Sequence, residues 1–418
     1  MVCFRNGGNK GMNGHYVDTD WRGRPIQAWL PDHLKSQAFE VNATIARHTE
    51  QAIAAVLRAN ELTSGQLRYL AGLLLRNEGI ASSFIEGIEA PTEDVVAAGL
   101  GAAPSPSSAS VSDNLVAVRE ALATANQPLQ VSSLHSWHRR LMSHGSQLPD
   151  DLIGAFRDRQ GWVGGDIPTR ATFVPPPAED VEPLMTDLVE FANREDLDAI
   201  TQAAVVHAQF EIIHPYGDGN GRLGRLLIAW VLAQRLNIDV PPPVSMFMAR
   251  DIGGYRSGLM RVGTGPTDEW VDWMAIVVKR SAEACIDMTH GVAKVRSHWQ
   301  AAMHGLHSDA TARRLADLLL ESPVLASDIA ARQLGVGERA ARLAFHQLEQ
   351  RGVVSPSKSL PAAGPGRPRQ WWSAGDLLSL IESWGARPQA PELDITSDFP
   401  RLVPPVAEYP EVDSIGIS

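Results

Sequence analysis

The sequence predicts a mainly α fold: a helical bundle with a short β-hairpin, followed by a C-terminal winged helix-turn-helix. Three observations support this fold class. Apolar residues recur at helical spacing through most of residues 36–300. Strand-forming residues interrupted by glycines occupy residues 154–176. One helix–turn–helix pattern lies within residues 309–385.

Composition and charge narrow the class of protein. Of the 418 residues, 44% are apolar and 20% are charged, which is ordinary for a globular protein. Two distant cysteines, Cys3 and Cys285, build no disulfide framework or cysteine metal cluster. No apolar leader or membrane-length apolar run is present, so we expect a cytoplasmic protein without a membrane partner. The net charge of -11 excludes general nucleic-acid binding, so any DNA contact needs a local basic patch.

Element signals divide the chain into four regions. Residues 1–35 read as irregular, and helical periodicity begins after them, with a Pro/Ser-rich loop at 101–110. Helices are expected again at 115–142 and 181–280, on either side of the predicted hairpin, which three prolines end at 175–177. We therefore expect domains at 1–110, 111–300 and 301–385, with a disordered tail at 386–418 that is rich in proline and acidic residues.

The most informative segment is HPYGDGNGRLGR, residues 214–225, which lies between two apolar helical stretches. Its glycines permit a sharp turn and a close approach of backbone N–H groups to a ligand. A helix is expected to begin at about Asn220, and the unpaired N–H groups and positive dipole end of a helix start favour an anion. The segment therefore predicts a phosphate-binding turn.

Four side chains of this segment supply chemistry for a phosphate ester. Arg222 and Arg225 are three residues apart on one helix face, and arginine binds phosphate oxygens bidentately. Asp218 can hold Mg²⁺, which takes one or two carboxylates plus phosphate oxygens. His214 is the group whose pKa suits proton abstraction near neutral pH. Together they predict phosphoryl or nucleotidyl transfer.

The segment resembles the signature of the Fic family, HxFx(D/E)GNGRxxR, with Tyr216 in place of the usual phenylalanine. The resemblance implies a helical bundle with a hairpin flap, and ATP and Mg²⁺ as substrate and cofactor. It also implies that His214 deprotonates a target hydroxyl and that Asp218 holds the metal. The implied nucleotide contacts are Gly219, Asn220, Gly221, Arg222, Leu223, Gly224 and Arg225.

Similarity to this family extends over roughly residues 21–280. The segment at 21–31 resembles the start of the family's N-terminal domain, and 154–157 with 162–165 resemble its flap. The resemblance implies that the flap presents a Ser, Thr or Tyr of a target protein by main-chain pairing. Tyr255 aligns loosely with a residue that lies against adenine. The alternative is that residues 154–174 have a purely structural role and cover the hydrophobic core.

A dinucleotide-binding interpretation also fits part of the segment. Residues 219–224 satisfy GxGxxG, and Asp239 follows about 20 residues later. That fold requires alternating strands and helices, whereas residues 181–300 read as almost continuous helix. We therefore favour the first interpretation.

An inhibitory motif precedes the predicted site. SSFIEG, residues 82–87, resembles the family's (S/T)xxxE(G/N) motif, in which Ser82 and Glu86 lie one helical turn apart and Gly87 follows. The resemblance implies that Glu86 pairs with Arg225 and places a negative charge where phosphate would bind. In some relatives the equivalent glutamate also helps to remove AMP from a target protein. Whether this chain attaches AMP only, or also removes it, stays open here.

The C-terminal region predicts a winged helix-turn-helix. Residues 327–334 and 338–351 read as helices, with Ser327 as N-cap, and residues 366–372 resemble a wing strand. Residues 309–372 carry nine Lys/Arg against six Asp/Glu, so this region is modestly basic in an acidic chain. DNA contact through residues 327–372 and protein docking both stay open.

The sequence thus predicts a protein adenylyltransferase that moves AMP from Mg-ATP to a Ser, Thr or Tyr hydroxyl and is inhibited by Glu86. The alternative is a DNA-binding regulator whose core senses nucleotide without transferring it. The target protein and the preference for AMP over other groups stay open, and so does a homodimer of the kind frequent among similar proteins.

Overall fold

Helices dominate the residues that the computed structural model describes, which are 12–63, 67–102, 104–144, 146–263, 267–360 and 369–385. The elements in chain order are β1 (Gly14–Trp21), β2 (Arg24–Pro31), α1 (Ala43–Thr63), α2 (Leu67–Ile85), α3 (Thr92–Ala98), α4 (Pro106–Leu122), α5 (Val131–Leu141), α6 (Ala178–Ala192), α7 (Ala199–Ile213), α8 (Asn220–Leu236), α9 (Val244–Met248), α10 (Ile252–Val262), α11 (Thr267–Ala302), α12 (Thr311–Glu321), β3 (Val324–Ala326), α13 (Ser327–Leu334), α14 (Glu338–Glu349), β4 (Ser355–Pro356), β5 (Trp371–Ser373) and α15 (Gly375–Trp384). The mainly α class is confirmed, and no described helix has both the length and the apolar character needed to cross a bilayer.

The centre of the bundle is the antiparallel pair α7 and α8. Every residue of α7 except Glu211 is buried, which is expected of a helix that is apolar on all sides. Helices α2, α4, α6 and α11 pack around this pair, and α1 lies along α11. The connection between α7 and α8 is the segment 214–219, so the most deeply buried helices position the predicted site. Because α7 precedes the glycines, the dinucleotide-binding interpretation, which requires a strand there, is wrong.

Residues 14–31 form two strands, so the prediction that residues 1–35 are irregular is wrong there. Strands β1 and β2 pair antiparallel from Gly14 with Pro31 to Trp21 with Arg24. The two-residue turn has positive φ at Arg22 (54°) and Gly23 (75°), as in a type I′ hairpin.

The hairpin predicted within residues 154–176 is reduced to one antiparallel bridge between Val163 and Phe173. Gly164 and Gly165 have φ of 71° and 77°, and a short 3-10 turn at Pro168–Arg170 follows, so no regular ladder extends from the bridge. The residues after the bridge are held by β2, because the main-chain N–H of Trp29 donates to the carbonyl of Val174 at 2.9 Å. We call residues 154–174 the flap segment.

Helices α12–α15 and a three-stranded sheet of order β3-β5-β4 form the C-terminal unit. The helices predicted at 327–334 and 338–351 are confirmed, with the second ending at Glu349. The predicted N-cap is wrong: Ala326 is the N-cap, and the Ser327 hydroxyl is buried without a partner in the described residues. Trp372 of β5 stacks on Phe345 of α14 at 5.3 Å. The winged-helix assignment stays a prediction, residues 366–368 of the predicted wing strand lie outside the described residues, and so does the tail at 386–418.

Candidate active site

The turn that joins α7 to α8 begins and ends with left-handed backbone. His214 has φ 49° and ψ 60°, and its N–H caps α7 by donating to the Phe210 carbonyl at 2.9 Å. Gly219 has φ 76° and is the N-cap of α8. Positive φ is uncommon for a residue other than glycine, and such strain persists where surrounding structure holds it and clusters at functional sites.

His214 is a buried base with one free nitrogen. His214 is 6% exposed, and its Nδ1 is 3.4 Å from the Glu211 carbonyl oxygen. Nε2 has no hydrogen-bond partner in the described residues. Burial, and then the charge of Arg157, lower the pKa of His214 to about 4. The imidazole is therefore neutral at pH 7, and with the proton on Nδ1 its Nε2 lone pair can accept a proton.

The inside of the turn is held by Tyr216 and Asn220. The Asn220 side-chain amide bonds both main-chain groups of Tyr216, accepting from its N–H at 2.9 Å and donating to its carbonyl at 2.7 Å. The Tyr216 ring is 1% exposed, and its hydroxyl is 3.0 Å from His135 Nδ1. These bonds hold the Asn220 side chain inside the turn, where it is 0% exposed, and its main-chain N–H lies in the first turn of α8.

Arg157, to which the sequence assigned no role, holds the turn from below. Its Nε donates to the His214 carbonyl at 2.9 Å and its Nη2 to the Pro176 carbonyl at 2.6 Å, while its main-chain N–H bonds the Pro215 carbonyl at 2.9 Å. Burial lowers the pKa of Arg157 to about 10, so it stays charged at pH 7. A single arginine outside the motif carries no sequence signal for this role.

Asp218 directly precedes Gly219, the N-cap of α8. Its Oδ1 accepts from the Gly219 N–H at 2.6 Å. No cluster of three or more His, Cys, Asp or Glu suited to a metal occurs in the described part of the chain. One carboxylate beside an anion-binding helix start nevertheless fits Mg²⁺, because nucleotide sites commonly supply one or two carboxylates and leave the remaining positions to phosphate and water.

Arg222 is buried beside this helix start. Its Nη1 donates to the Ser110 hydroxyl at 3.1 Å, and its Nε has no partner in the described residues. Burial lowers the pKa of Arg222, and the charge of Asp218 opposes that shift. A buried guanidinium with an unused N–H can bind an anion.

Arg225 is fully engaged by the segment that carries the predicted inhibitory motif. Its Nη2 lies 2.6 Å from Glu86 Oε1 and 2.8 Å from the Ser82 carbonyl, and its Nε donates to the Ser82 hydroxyl at 3.0 Å. The Arg225 side chain is 1% exposed and that of Glu86 is 33% exposed. Burial alone would lower the pKa of Arg225 and raise that of Glu86, but their pairing reverses both shifts.

Glu86 also lies over the start of α8. A Cβ built on Gly221 would be 2.1 Å from Glu86 Oε1, so the carboxylate rests against the main chain there. Gly87 follows Glu86 just after α2 with φ 74°, a left-handed conformation that glycine adopts readily where a helix ends.

The remaining predicted residues lie below the surface of the site. Leu223 is fully buried in the core, and its N–H donates to the Gly219 carbonyl at 3.0 Å. Gly224 lets α8 approach α7, because a Cβ there would be 2.3 Å from Glu211 Oε1. The Tyr255 hydroxyl lies 3.3 Å from Arg225 Nη1, and its ring is 2% exposed. These three residues therefore support the site from within and present little surface to a ligand.

Part of the chain is similar to proteins of a known family. Residues 128–232 match the model of the Fic/DOC family. The chain is 27% identical over 175 residues to the protein adenylyltransferase Fic of Nematostella vectensis, covering 41% of this chain and 38% of that protein. It is 26% identical over 179 residues to protein adenylyltransferase fic-1 of Caenorhabditis elegans, covering 42% and 32%. The chain thus spans well under half the length of these relatives.

A solved structure shares the fold. The crystal structure of a Fic family protein from Desulfovibrio desulfuricans G20 aligns with a TM-score of 0.51 and 20% identity, covering 80% of this chain and 97% of that one. At this identity the likeness establishes the fold alone.

Proposed function

This chain carries a Fic/DOC family domain, and from that premise we propose that it is a protein adenylyltransferase that moves AMP from Mg-ATP to a Ser, Thr or Tyr hydroxyl of another protein. The observation that carries the proposal is the unpaired Nε2 of buried, neutral His214, which lies beside the anion-favouring start of α8. Nucleotidyl transfer requires a base close to a phosphate-binding element.

The transfer step follows from these groups. The target hydroxyl oxygen attacks the α-phosphorus of ATP while its proton passes to Nε2 of His214. The bond from the α-phosphorus to the bridging oxygen breaks, pyrophosphate leaves, and His214 later releases the proton to solvent. Asp218 would hold Mg²⁺, which neutralises phosphate charge when bound. Arg222 and the amides at the start of α8 bind phosphate oxygens.

We propose further that Glu86 inhibits this reaction. Arg225 would bind the outer phosphate of ATP, but Glu86, Ser82 and Tyr255 occupy its guanidinium. The Glu86 carboxylate against Gly221 would also repel a phosphate there. ATP would then enter in a pose unsuited to transfer until Glu86 withdraws.

Labelling with ATP that carries a tagged α-phosphate tests both parts. Glu86→Gly should raise labelling of the chain or of extract proteins at least about tenfold, and His214→Ala in that background should reduce it about 10²-fold or more. Glu40→Gly, which removes an exposed carboxylate outside the site, should match the unsubstituted chain. Equal labelling by Glu86→Gly and by the double variant would contradict the proposal.

DNA contact through the C-terminal unit remains an untested second candidate, favoured by the local excess of nine Lys/Arg over six Asp/Glu. Several of these cations are already neutralised: Arg342 pairs with Glu338, and Arg332 and Arg369 both pair with Asp328. Paired cations release fewer DNA counterions, so we expect weak binding that depends only shallowly on salt concentration. A gel shift with DNA and no labelling by Glu86→Gly would favour this candidate over transfer.

A further inference from the structure

One buried histidine outside residues 214–225 connects the turn before α8 to the flap segment. His138 lies on α5 and is 0% exposed. Its Nε2 is 3.1 Å from the carbonyl oxygen of Asp218, and its Nδ1 is 2.8 Å from the main-chain nitrogen of Gly154 at the start of the flap segment. Its ring stacks on Tyr216, with centroids 4.0 Å apart and planes 13° apart.

The two hydrogen bonds determine which ring nitrogen carries the proton. The Gly154 nitrogen is a donor, so His138 Nδ1 must accept. The hydrogen is then on Nε2, which donates to the Asp218 carbonyl. Both partners are main-chain groups, and Gly154 has φ 76° with no room for a Cβ, which would be 2.4 Å from Arg139 Cγ. The ring therefore links the Asp218 carbonyl to a point in the flap segment whose backbone has little freedom.

The Asp218 carbonyl belongs to the same peptide unit as the Gly219 N–H, and that N–H donates to the Asp218 carboxylate at 2.6 Å. Rotation of this peptide plane would turn the N–H away and release the carboxylate. The bond from His138 Nε2 to the Asp218 carbonyl oxygen opposes that rotation. If the peptide rotated, the buried Nε2–H group of His138 would lose its acceptor. His138 thus controls the carboxylate through the plane of one peptide.

We propose that His138 is a positioning residue for nucleotide transfer: it orients the Asp218–Gly219 peptide so that the Asp218 carboxylate faces the metal, and it couples that peptide to the flap segment. The inference rests on the proposed function. His138 contacts neither substrate nor metal and acts through Asp218.

Two substitutions separate the two bonds of the ring. In His138→Gln the side-chain NH₂ can reach the position of Nε2 and donate to Asp218, but nothing accepts from Gly154. In His138→Asn the carbonyl oxygen lies near the position of Nδ1 and accepts from Gly154, but the side chain is too short for Asp218. In the Glu86→Gly background, His138→Asn should raise the Mg²⁺ concentration for half-maximal AMP transfer about 3- to 10-fold, and His138→Gln should stay within about 2-fold of the parent.

The outcomes distinguish this inference from a packing role. Loss of packing would weaken both variants alike, so an equal Mg²⁺ requirement in His138→Asn and His138→Gln, whether raised or unchanged, overturns the inference. His48→Gln, which alters a histidine paired with Asp272 between α1 and α11, should behave as the parent. If Glu86→Gly itself transfers no AMP, the proposed function fails. The same comparison is then made on Mg²⁺-dependent binding of a fluorescent ATP analogue, and equal Mg²⁺ requirements again overturn the inference.

A second measurement does not depend on the folding of any His138 variant. In the ¹⁵N-histidine NMR spectrum of Glu86→Gly, His138 should show a protonated Nε2 and an unprotonated Nδ1. Titration with Mg²⁺ and ATP should shift the Nε2 resonance more than Nδ1, because Nε2 donates to the peptide of Asp218, the residue that would hold the metal. The opposite tautomer, or an Nε2 resonance that does not move on saturation, would overturn the inference.

Discussion

At the scale of single residues, the depressed pKa of His214 sets the pH range in which it can act as a base. Burial lowers this pKa to about 4, below the ordinary value of about 6.5. The neutral imidazole is the active form and exists above the pKa, so it persists to lower pH than in an exposed histidine. We expect kcat/KM for transfer by Glu86→Gly to stay level from pH 8 to about 5.5. A tenfold fall per pH unit already below pH 6.5, with unchanged Mg-ATP binding, would contradict this.

The Glu86–Arg225 pair makes a second residue-scale prediction, which concerns stability. Removing the carboxylate leaves a buried guanidinium supported by Ser82 and Tyr255 alone. Loss of a partner to a buried charge costs about 3–5 kcal/mol, and partial exposure of Glu86 reduces this to about 1–2 kcal/mol. We expect Glu86→Gly to lower the free energy of unfolding by that amount at pH 7, measured in urea.

Two features of the pair check this interpretation. The pKa of Glu86 is lowered in the folded chain, so its contribution is present at neutral pH and is lost as pH falls through that lowered pKa. The stability difference between the unsubstituted chain and Glu86→Gly should therefore shrink below about pH 4. Saturating Mg-ATP should stabilise Glu86→Gly more than the unsubstituted chain, and equal stabilisation would argue against competition for Arg225.

For single residues, the sequence predicts a role in the site only where the residue belongs to a motif of fixed spacing. Glu86 and Arg225 were expected to pair, and they lie 2.6 Å apart. Arg157 and His138 were not expected in the site, because each acts on main-chain carbonyls that only the folded turn brings near. Carbonyl oxygens exist at every position, so no sequence pattern identifies them as partners.

At the scale of elements, the helices were predictable and the hairpins were not. The start of α8 at Asn220 was predictable because a glycine-rich turn precedes a long apolar run there, and α14 was predictable because apolar residues recur on one of its faces. The alternation in β1 is short, with Val17, Thr19 and Trp21 half-buried and Asp18 and Asp20 exposed. Its pairing with β2 depends on an Arg22–Gly23 turn without the usual Asn-Gly signal. Strand-forming residues in the flap segment instead surround glycines that prevent a ladder.

The packing of α2 against α4 gives a prediction at this scale. A Cβ on Gly79 in α2 would lie 2.7 Å from Leu115 Cδ1 and 2.8 Å from its Cγ, and the Gly79 carbonyl accepts from Asn114 Nδ2 at 3.1 Å. Gly79→Ala should therefore force the helices apart and lower the free energy of unfolding by about 1–3 kcal/mol. Gly253→Ala in α10, where nothing lies within 4 Å, should be neutral or stabilising by up to about 1 kcal/mol. Denaturant unfolding of both variants checks the pair, and equal effects would show that propensity alone decides.

At the scale of the whole molecule, the sequence divides the chain into regions but does not reveal how they dock. The C-terminal unit lies on the helices that flank the inhibitory segment. Arg76 of α2 donates to the carbonyl of Glu321 at the end of α12 at 3.0 Å, and Glu93 of α3 accepts from the hydroxyls of Ser359, at 2.8 Å, and Ser373. Such contacts join residues more than 240 positions apart, and local periodicity carries no information about them.

Glu93 makes this docking testable. It lies in the first turn of α3, where a negative charge is favoured, and its two oxygens bind hydroxyls from two parts of the C-terminal unit. Glu93→Ala removes both acceptors and should weaken docking by about 1–3 kcal/mol, while Glu93→Gln retains one acceptor and should lose less. In hydrogen exchange, the amides of α3 and of β5 should then exchange about 5- to 100-fold faster in Glu93→Ala, whereas α7 in the bundle core should not change. Glu40→Gln, an exposed change outside the interface, serves as the control. Unaltered exchange in both α3 and β5 would mean that apolar contacts alone hold the C-terminal unit, and faster exchange spread equally to α7 would mean that the bundle and the C-terminal unit unfold as one.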